Sequence, residues 1–202
     1  MRRCRIPALL LAFLASLAGC QKSPDAAAYE KLLSGDLSLF DETEVQAWAL
    51  DTWMELVLVP GEAEYTCLDL DGDGIGELLL QRTGDPGSYN GVFHYQDGRL
   101  FCWQNDGVEG SCRDYPLRDG TMVRQYDFLN TCSYTLFRYL GDGSTEIIGE
   151  LFIREESSPL SSSDPSLCCQ VDGEVVDQEV FQEKLDALVT SQLLEPSAWT
   201  VL

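Results

Sequence analysis

Positively charged residues are scarce in this sequence. Lysine and arginine together number 13, against 34 aspartate and glutamate residues, and the formal net charge is −21. Such a chain repels the phosphates of nucleic acids and has no electrostatic attraction to an anionic lipid surface. The charge therefore argues against both kinds of binding. A hydrophobic content of 45% nevertheless predicts a folded domain rather than a disordered chain.

Recognisable catalytic motifs are also lacking. The sequence has one histidine, His94 in Val-Phe-His-Tyr, and no partner for it is evident from the pattern. We find no nucleophile elbow, Walker loop, dinucleotide fingerprint or His-Glu-x-x-His helix. Paired Cys-x-x-Cys motifs are missing, so a zinc site is not predicted. These absences favour a non-catalytic protein, and a hydrolase acting on wall or glycan through unrecognised carboxylates is the alternative.

Apolar runs long enough to span a bilayer are missing as well. The run over residues 6–17 is about a dozen residues long, whereas a spanning helix needs about 20. Arg2, Arg3 and Arg5 precede it, and a basic start followed by a short apolar core is typical of a secretory signal. The run leads into Leu17-Ala18-Gly19-Cys20.

These four residues resemble the lipobox of bacterial lipoproteins, and the chain resembles small bacterial surface lipoproteins. The resemblance implies that residues 1–19 are a signal peptide and that Cys20 becomes an acylated, palmitate-bearing N-terminus. Residues 20–26 would then be a lipidated tether, and the bilayer would be a partner through Cys20. The expected location is the extracytoplasmic face of the cell membrane. An ordinary signal peptide with a chance cysteine and a membrane-spanning anchor are the alternatives.

Cysteine is one residue that this sequence does not lack. Beyond Cys4 and Cys20, an even number remains, which favours disulfides in an exported chain. We expect Cys102 to pair with Cys112 across a turn-rich stretch, and the neighbours Cys168 and Cys169 to reach separate partners. Free buried thiols are the alternative. The disulfide candidates are Cys67, Cys102, Cys112, Cys132, Cys168 and Cys169.

Hydrophobic periodicity predicts helices at both ends of the mature chain and strands between them. Helices are expected over 25–34, over 41–60 with Asp41 and Glu44 as a capping box, and from Asp177 to about Leu193. Strands are expected over 65–70, 77–81, 91–95, 100–103, 121–128, 134–140 and 146–153. Asp-Gly turns join neighbouring runs, so the strands should pair antiparallel.

The predicted fold class is therefore α+β. It has N-terminal helices, an antiparallel β-meander of about six to eight strands and a C-terminal helix. Residues 27–202 are expected to form one domain that contains a Ser/Pro-rich loop at 155–170.

The stretch Asp-Leu-Asp-Gly-Asp-Gly-Ile-Gly-Glu at 69–77 carries the clearest chemical signal. Calcium takes six to eight oxygen ligands, and alternating aspartates on a tight loop supply several. The stretch resembles the start of an EF-hand loop and, more closely, the short calcium loops of FG-GAP repeats. The resemblance implies one structural calcium ion, held by Asp69, Asp71, Asp73, the Ile75 carbonyl and Glu77. An acidic turn without a specific ion is the alternative.

Six aromatic residues in the strand region can be interpreted in two ways. They can form a face that binds sugar or peptide, or they can pack the sheet, which we favour. They are Trp103, Tyr115, Tyr126, Phe128, Tyr134 and Tyr139. The sequence thus predicts a membrane-anchored, non-catalytic binding or envelope-associated module with a structural calcium site and an unknown protein or glycan partner.

Overall fold

The computed structural model describes residues 25–84, 87, 90–105, 111–156 and 166–202. The predicted signal peptide, Cys20 and most of the tether lie outside the described residues, as does the centre of the predicted loop at 155–170. Ala26, which was predicted to end the tether, instead begins the first helix.

The described part of the chain contains four α-helices. They are α1 (Ala26–Leu33), α2 (Glu42–Trp48), α3 (Leu50–Val57) and α4 (Gln178–Leu188). Two 3₁₀ turns follow α4, at Thr190–Gln192 and Pro196–Ala198. Within the described residues, we find no helix with the length and apolar character needed to cross a membrane.

The described residues contain eleven strands, which form two sheets whose neighbouring strands are all antiparallel. The first sheet has the order β11-β1-β2-β3-β4, and the second has the order β10-β9-β8-β7-β6-β5. The strands are β1 (Ala63–Leu68), β2 (Glu77–Arg82), β3 (Gly91–Gln96), β4 (Arg99–Asn105), β5 (Cys112–Pro116), β6 (Met122–Phe128), β7 (Thr131–Tyr139), β8 (Thr145–Glu156), β9 (Ser166–Val171), β10 (Glu174–Val176) and β11 (Thr200–Val201).

The structure agrees with the predicted α+β class, but six to eight strands was too few. The seven predicted strands all occur, with ends shifted by a few residues, and four others were missed: β5, β9, β10 and β11. Strands β10 and β11 are only three and two residues long, too short for alternation to be recognised. The C-terminal helix is also not the last element, because the chain continues into β11, which pairs with β1.

The predicted loop at 155–170 was wrong at both ends. Strand β8 continues to Glu156, and β9 begins at Ser166 and pairs with it along its length. Cys169 packs in the core there, so this polar stretch carries a buried strand residue. Asp172 and Gly173, both with positive φ, then close a tight hairpin to β10.

The helix predicted over 41–60 is interrupted at Ala49, whose φ of 47° lies in the left-handed region. Trp53 and Val57 on α3 are buried. Trp48 and Leu56 are exposed, because the interruption ends the continuous apolar stripe. The Trp48 indole at the end of α2 is therefore accessible to solvent.

The expected capping box does not form at the start of α2. Asp41 makes no side-chain bond to the helix backbone, and its Oδ2 instead accepts a bond of 2.5 Å from Arg99. Glu44 Oε1 accepts a bond of 2.6 Å from the Cys102 N–H. Both carboxylates therefore attach the helix to strand β4.

Helix α4 begins as predicted, since Asp177 Oδ1 accepts a bond of 2.8 Å from the Val180 N–H. The helix ends at Leu188 rather than near Leu193. Phe181 and nearby Val189 are buried against the second sheet, whereas Val180 and Leu188 are partly exposed.

Among the residues that the structure describes, three hydrophobic clusters hold the elements together. The first lies between the N-terminal helices and the first sheet, and the second lies under α4 on one face of the second sheet. The third joins the two sheets and consists of Leu70, Leu79, Val92, Met122, Phe137 and Tyr139. The Asp-rich segment adjoins this third cluster, because Leu70 belongs to both.

Candidate metal centre

The Asp-rich segment forms the turn between β1 and β2. Leu68 pairs with Glu77, so residues 69–76 form the loop of a hairpin. The flanking segments are strands, as predicted, rather than the helices that flank an EF-hand loop.

Backbone N–H groups order the three aspartates of this loop. Asp69 accepts bonds from the N–H groups of Gly72 and Gly74, at 2.7 and 3.0 Å. Asp71 accepts from Asp73 at 3.0 Å, and Asp73 accepts from Ile75 at 2.7 Å. Gly74 has a φ of 87°, in the left-handed region that glycine adopts without a steric cost. The loop therefore has the local turns that its alternating pattern predicted.

The carboxylates of Asp69, Asp71 and Asp73 converge. Each offers one oxygen, and these oxygens all lie within 4.8 Å of one another. Two oxygens on opposite sides of a calcium ion are separated by about 4.6–5.2 Å, twice the usual ligand distance. The three side chains therefore fit within one coordination sphere, and their oxygen chemistry suits a hard cation.

Glu77 points into the protein rather than toward solvent. It is fully buried, and its Oε2 accepts a bond of 2.7 Å from the Leu70 N–H. Its Oε1 lies 2.9 Å from His94 Nδ1. Burial raises the pKa of Glu77 to about 7, and the charge of Asp71 adds to this effect. The bonds from His94 and Leu70 act in the opposite direction.

Asp71 is common to two groups of potential ligands. Its carboxylate lies within 4.8 Å of ligand atoms of Glu77 and His94, as well as of the other two aspartates. The structure thus brings Asp69, Asp71 and Asp73 together and places Glu77 behind them, attached to His94. Ile75 follows in the same turn, with its N–H bonded to Asp73.

His94 is the residue of this centre that sequence reasoning missed. It is buried on β3, and Leu78 pairs with Phe93, so the antiparallel register brings Glu77 and His94 side by side. That register is a property of the strand pairing, which spacing along the chain does not show. The two buried side chains are a structural pair in the interior.

The loop rests on turns of the second sheet. Gly120, in the predicted Asp-Gly turn between β5 and β6, lies directly against the Asp69 carbonyl. A Cβ on Gly141, in the turn between β7 and β8, would stand 3.5 Å from Asp71 Oδ2. The acidic loop therefore lies at the junction of the two sheets.

The predicted pairing of Cys102 with Cys112 was wrong. Cys102, Cys132, Cys168 and Cys169 carry free thiols, so Cys102 is not bonded to Cys112. Cys102 is buried in the first sheet, whereas Cys112 begins an outer strand of the second sheet.

Register also separates two other disulfide candidates. Cys132 and Cys169 face the same residue, Ile153, from opposite sides. They are therefore about 10 Å apart, too far for a disulfide.

The six aromatic residues do not form one face. Trp103 and Tyr139 stack on each other at 5.2 Å, and Tyr115 and Tyr134 pack against the second cluster. Tyr126 and Phe128 stack at 6.2 Å and are exposed.

Comparisons with known proteins do not assign this chain to a family. Protein-family models, curated proteins and solved structures all gave no significant match.

Proposed function

We propose that this protein is a lipid-anchored, extracytoplasmic, non-catalytic binding module whose Asp-rich hairpin holds one structural calcium ion. The observation that carries the proposal is the convergence of three aspartate carboxylates on a loop between two sheets. The lipobox resemblance of residues 17–20 supports the location.

Electrostatics supports a bound cation at this loop. Two carboxylates about 4 Å apart repel each other by about 4 kcal/mol at an effective dielectric constant near 20. The loop gathers three of them in a chain of formal charge −21. The Ile75 carbonyl and Glu77 are the further ligands that we propose, and a divalent ion would remove the repulsion.

Burial supports a structural role for the centre. Glu77 and His94 are enclosed, and the His94 ring stacks on Trp103 at 4.4 Å, so a substrate has no access to either side chain. The ion would therefore stiffen the junction of the sheets, and this geometry gives no support to the alternative of a hydrolase.

The composition supports a lipid as the main membrane attachment. An acidic body gains nothing from anionic headgroups, and two or more acyl chains are needed for stable anchoring. An acylated Cys20 would supply them, with the tether holding the domain within about 20 Å of the bilayer.

Calcium is expected to stabilise the protein. We expect 10 mM CaCl₂ to raise the melting temperature of the metal-free full-length chain, in detergent, by about 3–10 °C. This follows from a dissociation constant of about 10⁻⁴–10⁻³ M, typical of extracellular modules, which gives about 1.4–2.7 kcal/mol. Differential scanning calorimetry measures the shift.

Asp71→Asn tests whether the Asp-rich loop causes the calcium-induced rise in melting temperature, because Asp71 belongs to both groups of potential ligands. The variant should lose most of the calcium shift. Asp97→Asn, in the hairpin turn between β3 and β4, is the matched control and should keep it. An unchanged wild-type melting curve, with no calcium-binding heat, would refute the calcium site.

The lipid anchor has its own test. Cys20→Ser, expressed in a bacterial host, should lose metabolic labelling by palmitate and leave the membrane fraction. Cys112→Ser is the control, because this half-buried cysteine lies outside the lipobox. It should keep both label and location, and continued labelling of Cys20→Ser would refute the anchor.

A further inference from the structure

A hollow of about 370 Å³ lies between β4 and the second sheet. The Asp-rich loop does not line it, although Trp103 in its wall stacks on His94. Its volume is within the range of small-molecule sites.

Two β-bulges border it. Trp103 is an extra residue between the pairs Val92–Gln104 and Phe93–Cys102. The second bulge is Ile148, between the pairs Leu136–Gly149 and Phe137–Ile147. Bulges redirect side chains and are common beside binding sites.

The bulge in β4 allows Trp103 and Gln104 to line the hollow together. Without it, successive side chains would point to opposite faces of the sheet. Trp103 is held between the rings of His94 and Tyr139, at 4.4 and 5.2 Å. Its indole is therefore fixed before any ligand arrives.

A polar network fixes the other groups of the hollow. Asp114, which is buried, accepts two bonds from Arg124, at 2.9 and 2.6 Å, and one from Gln104 Nε2 at 2.7 Å. The Tyr139 hydroxyl donates to Gln104 Oε1 at 2.6 Å. The Arg124 guanidinium is half-exposed and supplies the one charge among the described residues that line the hollow.

The rim of the hollow is apolar and partly open to solvent. Trp48, at the end of α2, is 39% exposed, and Ile147 is 61% exposed. Asn105 Nδ2 donates to the Trp48 carbonyl at 2.7 Å, which ties the helix end to β4. The hollow thus combines indole rings with amide, hydroxyl and guanidinium groups.

We propose that this hollow binds a sugar residue of a glycan, which names the ligand class of the binding module proposed above. A pyranose ring has an apolar C–H face that packs on an indole, and the exposed Trp48 supplies that surface because His94 and Tyr139 cover Trp103. The neighbouring hydroxyls of the sugar match planar amide and guanidinium groups. A peptide adding to β4 is disfavoured along part of this edge. The Leu100 N–H already donates to the Leu39 carbonyl, and the Cys102 N–H donates to Glu44.

The test uses the full-length chain in a sugar-free detergent with calcium present. It is screened on an array that carries maltotetraose, tetra-N-acetylchitotetraose and a tetrasaccharide of alternating uronate and N-acetylhexosamine. Calorimetry then measures the dissociation constant of the best-bound sugar. Trp48→Ala should weaken binding at least tenfold, and Trp48→Phe should restore part of the affinity.

Tyr126→Ala is the matched control, because Tyr126 is 40% exposed but does not line the hollow. It should bind within twofold of the wild type. A folded chain that binds none of the sugars, equal affinity in Trp48→Ala and wild type, or Trp48-dependent binding to a peptide array instead would overturn the proposal. Such a failure would leave the calcium shift and palmitate labelling unchanged, so the two proposals fail separately.

Discussion

His94→Ala is expected to lower the free energy of unfolding by about 3–5 kcal/mol, measured by urea denaturation near pH 8. The change leaves the buried Glu77 carboxylate without its side-chain partner. Removing one member of a buried hydrogen-bonded pair is strongly destabilising, because the other member stays buried without its bond. The loss of the ring stack on Trp103 adds to the effect.

Two further variants distinguish the loss of the Glu77–His94 hydrogen bond from a simple loss of packing. His94→Asn keeps a donor near the position of Nδ1, so it should recover part of the lost stability. Glu77→Gln, added to His94→Ala, removes the unpaired charge, and the double variant should be more stable than His94→Ala alone. If the two changes destabilise additively, the buried pair is not the cause.

The pH dependence of His94→Ala follows from the raised pKa of Glu77. That pKa is about 7 in the folded, metal-free protein, above its ordinary value of 4.5. The folded chain therefore holds the proton more tightly. The stabilising contribution of the protonated carboxyl is complete below about pH 4.5 and disappears as the pH rises through about 7. The destabilisation by His94→Ala should accordingly be smaller at pH 5.5 than at pH 8.

Gly120→Ala is expected to destabilise the protein by about 2–5 kcal/mol. Gly120 has a φ of 83°, which an alanine adopts only with strain, and a Cβ there would collide with the Asp69 carbonyl oxygen. Because the Asp69 carbonyl belongs to the backbone, the collision can be relieved only by a shift of the main chain. Urea denaturation of the full-length chain measures the loss.

Gly98→Ala is the matched control for backbone strain. Gly98 has a nearly identical φ of 85°, but a Cβ there would meet nothing within 4 Å. Gly98→Ala should therefore lower the free energy of unfolding only by the backbone strain, about 1–2 kcal/mol. Equal losses in the two variants would mean that contact between the Asp-Gly turn and the acidic loop contributes nothing.

Local patterns were enough to predict much of this fold. The Asp-Gly turns and alternating runs located seven strands, because a two-residue turn and the strands beside it are encoded within about ten residues. The division into two sheets was not predictable in this way. The division falls between β4 and β5, which are consecutive in the chain but lie in different sheets. The addition of β11 to the first sheet depends on its long-range pairing with β1, and a two-residue strand has no periodicity of its own.

The same limit applies to the candidate site. The positions of Asp69, Asp71 and Asp73 in one turn followed from their spacing, because backbone N–H groups order them locally. Predicting the contact between His94 and Glu77 would have required the register between β2 and β3. Likewise, the hollow beside Trp103 depends on bulges and on packing of the two sheets, which spacing along the chain does not show.

Three free thiols bear on the proposed export of this chain, namely those of Cys102, Cys132 and Cys169. Disulfide exchange and oxidation proceed through the thiolate, so a thiol that stays protonated reacts slowly. Burial raises the pKa of Cys102 and Cys169, and it raises the pKa of Cys132 to about 11. Packing within the strands therefore gives these sulfur atoms a kinetic resistance to oxidants, which would let them persist reduced outside the cytoplasm without help from a reductase.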